Sequence, residues 1–190
     1  MSKFITLGDF ILYIEEVSAD GHCLIHCICK ALYKPYSVGR DSKGNVISRL
    51  ECVRNLRREL SVELPKHYKY LSNGGLESFS NGLGEYKLEN MIIWLDSSKY
   101  IGIEFLEFIS DILNIDIYII HKQTNTLYSV GTDINLYYKH RRSIIVHYDD
   151  IHYNILYTKD SKISYYHQPN SPLIVHIYNT LIHNTLKDIK

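Results

Sequence analysis

The sequence predicts an α+β domain, and three observations carry that prediction. Helical signals fall in the first part of the chain, short β-branched runs follow, and the whole is long enough to bury one core. With 190 residues, 45% of them hydrophobic and 22% charged, the chain can bury roughly 70% of its unfolded surface, which favours one domain over disorder. Residues 23–33 read CLIHCICKALY, apolar on nearly every side, as in a buried helix. The turn Ala19-Asp20-Gly21-His22 leads into it, with Gly21 supplying backbone freedom, so Cys23 stands at a helix mouth. A second helix is announced by Ser48-Arg49-Leu50-Glu51, a capping-box spacing, and by apolar Leu50, Val53, Leu56 and Leu60. Its other face carries Arg54, Arg57 and Arg58 and is expected to be solvated.

Residues 71–90 hold Asn73-Gly74-Gly75 and Asn81-Gly82-Leu83-Gly84, turn chemistry that predicts a loop with one short helix near its end. After Gly102, the spacing of Ile103, Leu106, Ile109, Ile112 and Leu113 predicts a helix that feeds a core strand over 115–120. Strands are also expected over 143–148 and 152–157, joined by Asp149-Asp150-Ile151 in a short antiparallel connection. Ser171-Pro172 reads as an N-cap followed by Pro at the first helical position. Ile174, Ile177, Leu181 and Leu186 then predict a C-terminal helix packed on the domain.

Charge and cysteine usage narrow the function classes. Lys plus Arg and Asp plus Glu both total 21, for a net charge of zero, so no basic field collects nucleic acid. Cys23, Cys27, Cys29 and Cys52 crowd the first third of the chain, unlike a secreted disulfide framework. Asp9, Glu15 and Glu16 interrupt the apolar residues of the N-terminus, which lacks a signal-peptide pattern, and no run approaches a membrane span. A soluble, reduced, intracellular protein is expected. Abundant Tyr, Ile, Asn and Lys beside two alanines suggest an AT-rich genome, such as that of a large DNA virus or an obligate parasite.

Candidate chemistry starts at Cys23, because a thiol at a helix N-terminus is favoured as thiolate and the same N–H groups can donate to an oxyanion. Cys27 and Cys29 read as small buried hydrophobes. A nucleophilic thiol needs a base and a group to hold that base. His152 at the head of a strand, with Asn154 two residues on and on the same face, fits both needs. Asn154 is expected to accept from Nδ1–H, leaving Nε2 for the thiol.

Asp20-Gly21-His22-Cys23-Leu24 resembles the D-G-x-C-L signature of the ovarian-tumour (OTU) family of cysteine proteases, most of which are deubiquitinases. The stretch from Tyr100 to Ser110 followed by Ile115-Asp116-Ile117-Tyr118 is similar to that family's W-G-G-x-x-E-L-x-A-L-S helix and next strand. Ile144-Ile145-Val146 and His152-Tyr153-Asn154 resemble its closing strand and histidine block. The departures are His22, Ile25, His26 and Cys27 within the common D-G-N-C-L-F-R-A, and Tyr100 and Ile101 for Trp and Gly.

The resemblance implies a papain-type fold, a small mixed or antiparallel sheet flanked by helices with the nucleophile at the start of a central helix. Residues 1–158 would form the catalytic domain and 159–190 a helical C-terminal extension. It implies a cysteine-type deubiquitinase, a thiol isopeptidase that cleaves after the C-terminal Gly of ubiquitin or a ubiquitin-like modifier. Cys23 would be nucleophile, His152 general base and Asn154 its orienter. Asp20, Gly21, His22 and Cys23 would form the oxyanion hole, with Asp20 chiefly shaping the turn, and Ile151 and Tyr153 would contact substrate. Asp149 or Asp150 would add the negative charge that Asn154 lacks if their loop folds back. The expected partner is ubiquitin, polyubiquitin or a ubiquitin-like modifier; no nucleic acid, membrane, metal or organic cofactor is implied. A monomer in the cytoplasm is expected, the host's if the chain is viral. Two other classes compete: an inactive ubiquitin-binding module of the same fold, and a zinc module using His22, Cys23, His26, Cys27 and Cys29, whose C-x3-C-x-C spacing lacks the paired knuckles of common zinc sites.

Overall fold

Helices take up most of the described chain from Cys23 to Leu113, and the strands all lie outside that span, in the computed structural model, which describes residues 3–72, 87–129 and 139–188, with backbone alone at 68–72 and 184–188. Two compact units result, Ser18–Leu113 and a second formed by Met1–Val17 with Asn114–Lys190. Among the described residues no helix is long and apolar enough to cross a membrane.

In the helical unit, α1 (Cys23–Leu32) is buried on nearly every side, as its composition predicts. It stops at Tyr33, whose backbone turns extended, because Pro35 lacks an N–H and its ring would clash with the carbonyl four residues back if α1 ran on. The short α2 (Lys34–Val38) carries Pro35 in its first turn and ends on Gly39 at φ +70°. Helix α3 (Arg49–Ser72) begins at the expected cap, the Glu51 N–H donating to Ser48 Oγ at 3.1 Å. Its stripe of Val53, Leu56, Leu60 and Leu64 is buried. Helix α4 (Leu88–Leu95), a 3-10 turn (Ile103–Phe105) and α5 (Leu106–Leu113) complete this unit, and α3 packs against α1, α2, α4 and α5.

Two expectations need correction here. Arg57 is 1% exposed and not part of a solvated face. Ile103 is 66% exposed because the first turn after Gly102 is 3-10, which rotates it away from the buried side that Phe105 occupies. The loop expected over 71–90 is described only at its ends, where α3 runs to Ser72 and α4 begins at Leu88; residues 73–86 lie outside the described set.

The other unit is a seven-stranded mixed sheet in the order β1-β2-β6-β5-β3-β4, with β7 paired to β6. Its strands are β1 (Phe4–Leu7), β2 (Phe10–Glu15), β3 (Ile115–His121), β4 (Leu127–Ser129), β5 (Arg142–Tyr148), β6 (Tyr153–Lys159) and β7 (Ile163–Ser164). β3 and β5 form the parallel pair of the sheet and are buried almost throughout, as their continuous apolar runs require. β5 and β6 pair antiparallel across the short 149–151 connection, with His147 opposite Asn154 and Tyr148 opposite Tyr153. Helix α6 (Pro172–Asp188) lays Leu173, Ile174, Ile177 and Leu181 against Leu12, Tyr118, Ile120, Ile145 and Leu156 of the sheet. Only three strands were signalled by β-branched runs, and the β1–β2 hairpin is an addition. Its signal is the two-residue Gly8-Asp9 link, where Gly8 takes φ +57°.

Within this unit His167 joins the start of β5 through reciprocal main-chain bonds with Ser143 of 2.8 and 2.9 Å, while its side chain is 7% exposed. Burial pushes the imidazole down to about 4, against the opposing pull of Asp160. The unfolded chain therefore takes up a proton near pH 6.5 that the folded chain refuses until about pH 4, so stability falls as pH drops through that window. Urea unfolding at pH 7 and pH 4.5 should show a loss on the order of 3 kcal/mol, and His167→Gln should shrink it. Burial also lowers His22 and His147, so some slope should persist.

Candidate active site

The turn before α1 is shaped by one carboxylate and one glycine. Asp20 Oδ1 accepts the His22 N–H at 3.1 Å, and Oδ2 is 3.0 Å from His26 Nε2. The other ring nitrogen of His26 meets the Tyr36 hydroxyl at 2.8 Å, so α2 buttresses the turn through α1. Burial would raise the Asp20 carboxyl, but the bonds from His26 and His22 outweigh it and hold the group below its ordinary value. Gly21 sits at φ +82°, and a methyl group there would run into the Ser98 carbonyl oxygen. Only glycine suits both conditions.

Cys23 is the first residue of α1 and 3% exposed. The first helical hydrogen bond runs from the His26 N–H to the His22 carbonyl, 2.9 Å, so the N–H of Cys23 precedes the ladder where the helix field favours an anion. Cys27, Cys29 and Cys52 are also buried, and none of the four is disulfide-bonded. Burial pushes the Cys27 and Cys29 thiols far up and the Cys52 thiol up as well, which leaves them inert as nucleophiles at neutral pH.

His22 departs from its expected role in the oxyanion hole. Its N–H is spent on Asp20, and its ring, 4% exposed, accepts a 3.1 Å bond at Nδ1 from Arg57 Nη1. Burial and then the Arg57 charge hold this imidazole below its ordinary pKa, so it is neutral and carries its proton on Nε2. With His26 committed to Asp20 and Tyr36, the histidines of the zinc reading are already engaged. Among the described residues no group of three or more His, Cys, Asp or Glu is placed to hold a metal.

The second group of expected residues stands on the sheet unit. His152 immediately precedes β6, and its Nε2 is 3.1 Å from Asn154 Oδ1. This reverses the expected nitrogen: Nδ1, and not Nε2, is the one that Asn154 does not engage. The reason is reach: same-face residues two apart on a strand are separated by roughly 6.6 Å, which the far ring nitrogen spans better than the near one. Asn154 Oδ1 also accepts the Val17 N–H at 3.2 Å, so the segment leaving β2 holds the amide in place.

Neither carboxylate of the 149–151 connection is paired with the His152 ring, although the Asp149 main-chain N–H donates to the His152 carbonyl at 3.2 Å. Asp150, at φ +72°, pairs with His121 at 2.8 Å, and Asp149 pairs with Lys122 at 3.4 Å. The carboxylate that does sense His152 is Glu16; Lys3 chiefly, and His152 after it, lower its pKa. Ile151 is 79% exposed, whereas Tyr153 is fully buried with its ring stacked on Tyr148 at 4.5 Å. Tyr153 therefore supports the strand under His152 and does not offer a substrate surface.

Sequence reasoning missed Arg57, His26, Tyr36, Glu16 and the Val17 main chain. Arg57 had a signal, because it follows Val53 by four and precedes Leu60 by three on the buried stripe. A main-chain donor such as Val17 has none.

No family model matches the chain, and no curated protein matches it in sequence. Solved structures do. An ovarian-tumour (OTU) domain in complex with ubiquitin superposes with a TM-score of 0.61 and 21% identity, over 90% of this chain and 83% of that one. The viral OTU domain protease from Dera Ghazi Khan virus gives 0.54 and 14%, over 85% and 86%. The Hazara virus OTU bound to ubiquitin gives 0.51 and 12%, over 84% and 97%. The chain has the fold of OTU domains.

The turn geometry makes a prediction that separates backbone strain from contact. Gly21→Ala adds both a left-handed φ and a clash with Ser98, and should cost more than about 2 kcal/mol of unfolding free energy. Gly44→Ala, at φ +86° with open space around it, should cost about 1 kcal/mol. Urea denaturation of both variants checks the difference, and equal losses would remove Ser98 from the account.

Proposed function

We propose that this chain, built on the ovarian-tumour fold, is a deubiquitinating thiol isopeptidase. The observation that carries the reading is the Cys23 turn. One thiol of four occupies the first position of a buried helix, behind a left-handed glycine and a carboxylate-pinned loop, while burial raises the other three. The ubiquitin bound in two of the similar structures supports ubiquitin or a ubiquitin-like modifier as the substrate class.

In this mechanism His152 Nδ1 takes the Cys23 proton, and the thiolate attacks the carbonyl carbon of the modifier's terminal Gly. Main-chain N–H groups at the start of α1 stabilise the oxyanion. The C–N bond breaks as His152 returns the proton to the leaving lysine amine, giving a thioester. Water, deprotonated by His152, then releases the modifier's carboxylate and restores the thiol. Asn154, held by Val17, keeps the imidazole at the right angle throughout.

Reaction with a ubiquitin probe bearing a C-terminal thiol-reactive warhead, read by intact mass, tests this. Wild type should gain one probe mass, Cys23→Ala none, and His152→Ala should slow labelling at least about 100-fold. Asn154→Ala should slow it about tenfold, through loss of orientation. A folded wild type that ignores ubiquitin and ubiquitin-like probes alike, yet binds ubiquitin, would instead be the inactive binding module.

A further inference from the structure

Arg57 is a buried cation in an unusual setting. All four of its hydrogen bonds among the described residues go to uncharged acceptors. Nε donates to the Leu95 carbonyl at 2.8 Å, Nη2 to the carbonyls of Trp94 and Lys99 at 2.8 and 3.0 Å, and Nη1 to His22 Nδ1 at 3.1 Å. Burial brings the guanidinium pKa down to about 10, with Asp96 and Asp20 acting against that only at a distance. A buried cation is costly to desolvate, and a retained one is explained where it meets a positional need.

The bonds define that need. Leu95 and Trp94 end α4, and their carbonyls sit at the negative end of that helix, a natural seat for a cation. Lys99 lies in the loop beyond, which Trp94 Nε1 also closes by donating to the Tyr100 carbonyl at 2.7 Å. That loop presents the Ser98 carbonyl on which Gly21 rests. The fourth bond crosses to the other side of Gly21 and takes hold of His22, the residue that caps α1 and precedes Cys23.

We propose that Arg57 is a positioning residue for the nucleophile turn, clamping the 94–99 loop and the His22 ring together so that Cys23 is held in one geometry and His22 in one tautomer. The proposal rests on the reading of Cys23 as the nucleophile. Arg57 touches no reacting atom, and its effect passes through His22. The groups that face the His22 ring are Arg57 and Arg54 from α3, His26 from α1 and Asp20 from the turn; of these only Asp20 favours protonation. Protonating His22 on Nδ1 would break the clamp and set two cations together, so acid should open it.

The test uses the full chain. Long-range proton–nitrogen correlation spectra of 15N-histidine protein should show His22 with its proton on Nε2 and bare Nδ1 at pH 7, persisting below pH 6.5. Cys23 reactivity is then followed with iodoacetamide and with the ubiquitin probe. Arg57→Lys, which keeps the charge but loses the fork, should slow both reactions about tenfold with the probe's affinity unchanged. His22→Phe should do the same with Arg57 intact, the pair Arg57→Lys/His22→Phe should be no slower than either single variant, and His22→Asn, whose Oδ1 can accept from the guanidinium, should stay within about threefold of wild type.

A His22 proton on Nδ1 in wild type overturns the proposal, as do folded Arg57→Lys and His22→Phe variants whose rates stay within twofold. If Arg57→Lys does not fold by circular dichroism, the wild-type tautomer and the two His22 variants decide. A wild type that ignores the ubiquitin probe while its iodoacetamide rates follow the expected pattern would sink the deubiquitinase reading and leave the clamp standing. Probe labelling of wild type, Arg57→Lys and His22→Phe at equal rates would do the reverse.

Discussion

A guanidinium with no carboxylate bonded to it among the described residues organises the helical unit. Taking that charge out of water costs on the order of several kcal/mol, and three main-chain carbonyls and a neutral imidazole offset the cost. Those acceptors come from the end of α4, the loop after it and the turn before α1, so one α3 side chain ties the three segments together. Gly21 can rest on the Ser98 carbonyl only if the loop is where Arg57 puts it. Asp20 can pin the His22 N–H only if the ring of the same residue is not competing for a different place. The turn is thus determined from three directions at once: carboxylate, glycine contact and guanidinium.

The sheet unit solves a similar problem by register instead of charge. β5 and β6 pair so that His147 faces Asn154 and Tyr148 faces Tyr153, and the Tyr148–Tyr153 stack fixes the strand end where His152 leaves it. β2 lies on the other side of β6, with Glu15 opposite Ile155. That pairing delivers the next two residues, Glu16 and Val17, to His152 and Asn154. A one-residue slip of β2 would remove the Val17 N–H from Asn154. The amide is neutral and brings no charge to the imidazole, and the two aspartates nearest in sequence are occupied by His121 and Lys122. Glu16, in the segment that leaves β2, is paired with Lys3.

What could be read from the sequence was local. The α1 mouth, the Ser48 cap, the α5-to-β3 passage and the Pro172 start of α6 each depend on residues within one helical turn of each other. They were found where the structure has them. The β1–β2 hairpin was missed because its strands, FITL and FILYIE, carry apolar residues on both faces and so show no polar–apolar alternation, although Gly8-Asp9 marked the link. β4 and β7, of three and two residues, are too short to carry a period. Arg57 was read by its polarity, which says surface, against its position on the stripe, which says core. The site's remaining partners come from distant segments: Val17 to Asn154 spans 137 residues. The His152 nitrogen was misassigned for a simpler reason, since side-chain reach along a strand decides which end of the ring an i+2 neighbour meets.

The four thiols show how position in a helix separates chemistry from packing. Cys27 and Cys29 lie one and nearly two turns into α1, fully buried, where the amide ladder is closed and the surroundings are apolar; a thiolate there has neither solvation nor field to hold it. Cys52 is near the start of α3, yet its own N–H already donates to the Ser48 carbonyl at 3.1 Å, so it belongs to the ladder. Cys23 stands three residues before the first rung of α1. The composition that buries this helix would bury any thiol placed in it, and the same helix, by beginning at Cys23, sets that one thiol where its own N-terminal field can stabilise a negative charge. The carboxylate, glycine and arginine that fix the preceding turn are therefore fixing where the helix starts, and with it which cysteine stands in that field.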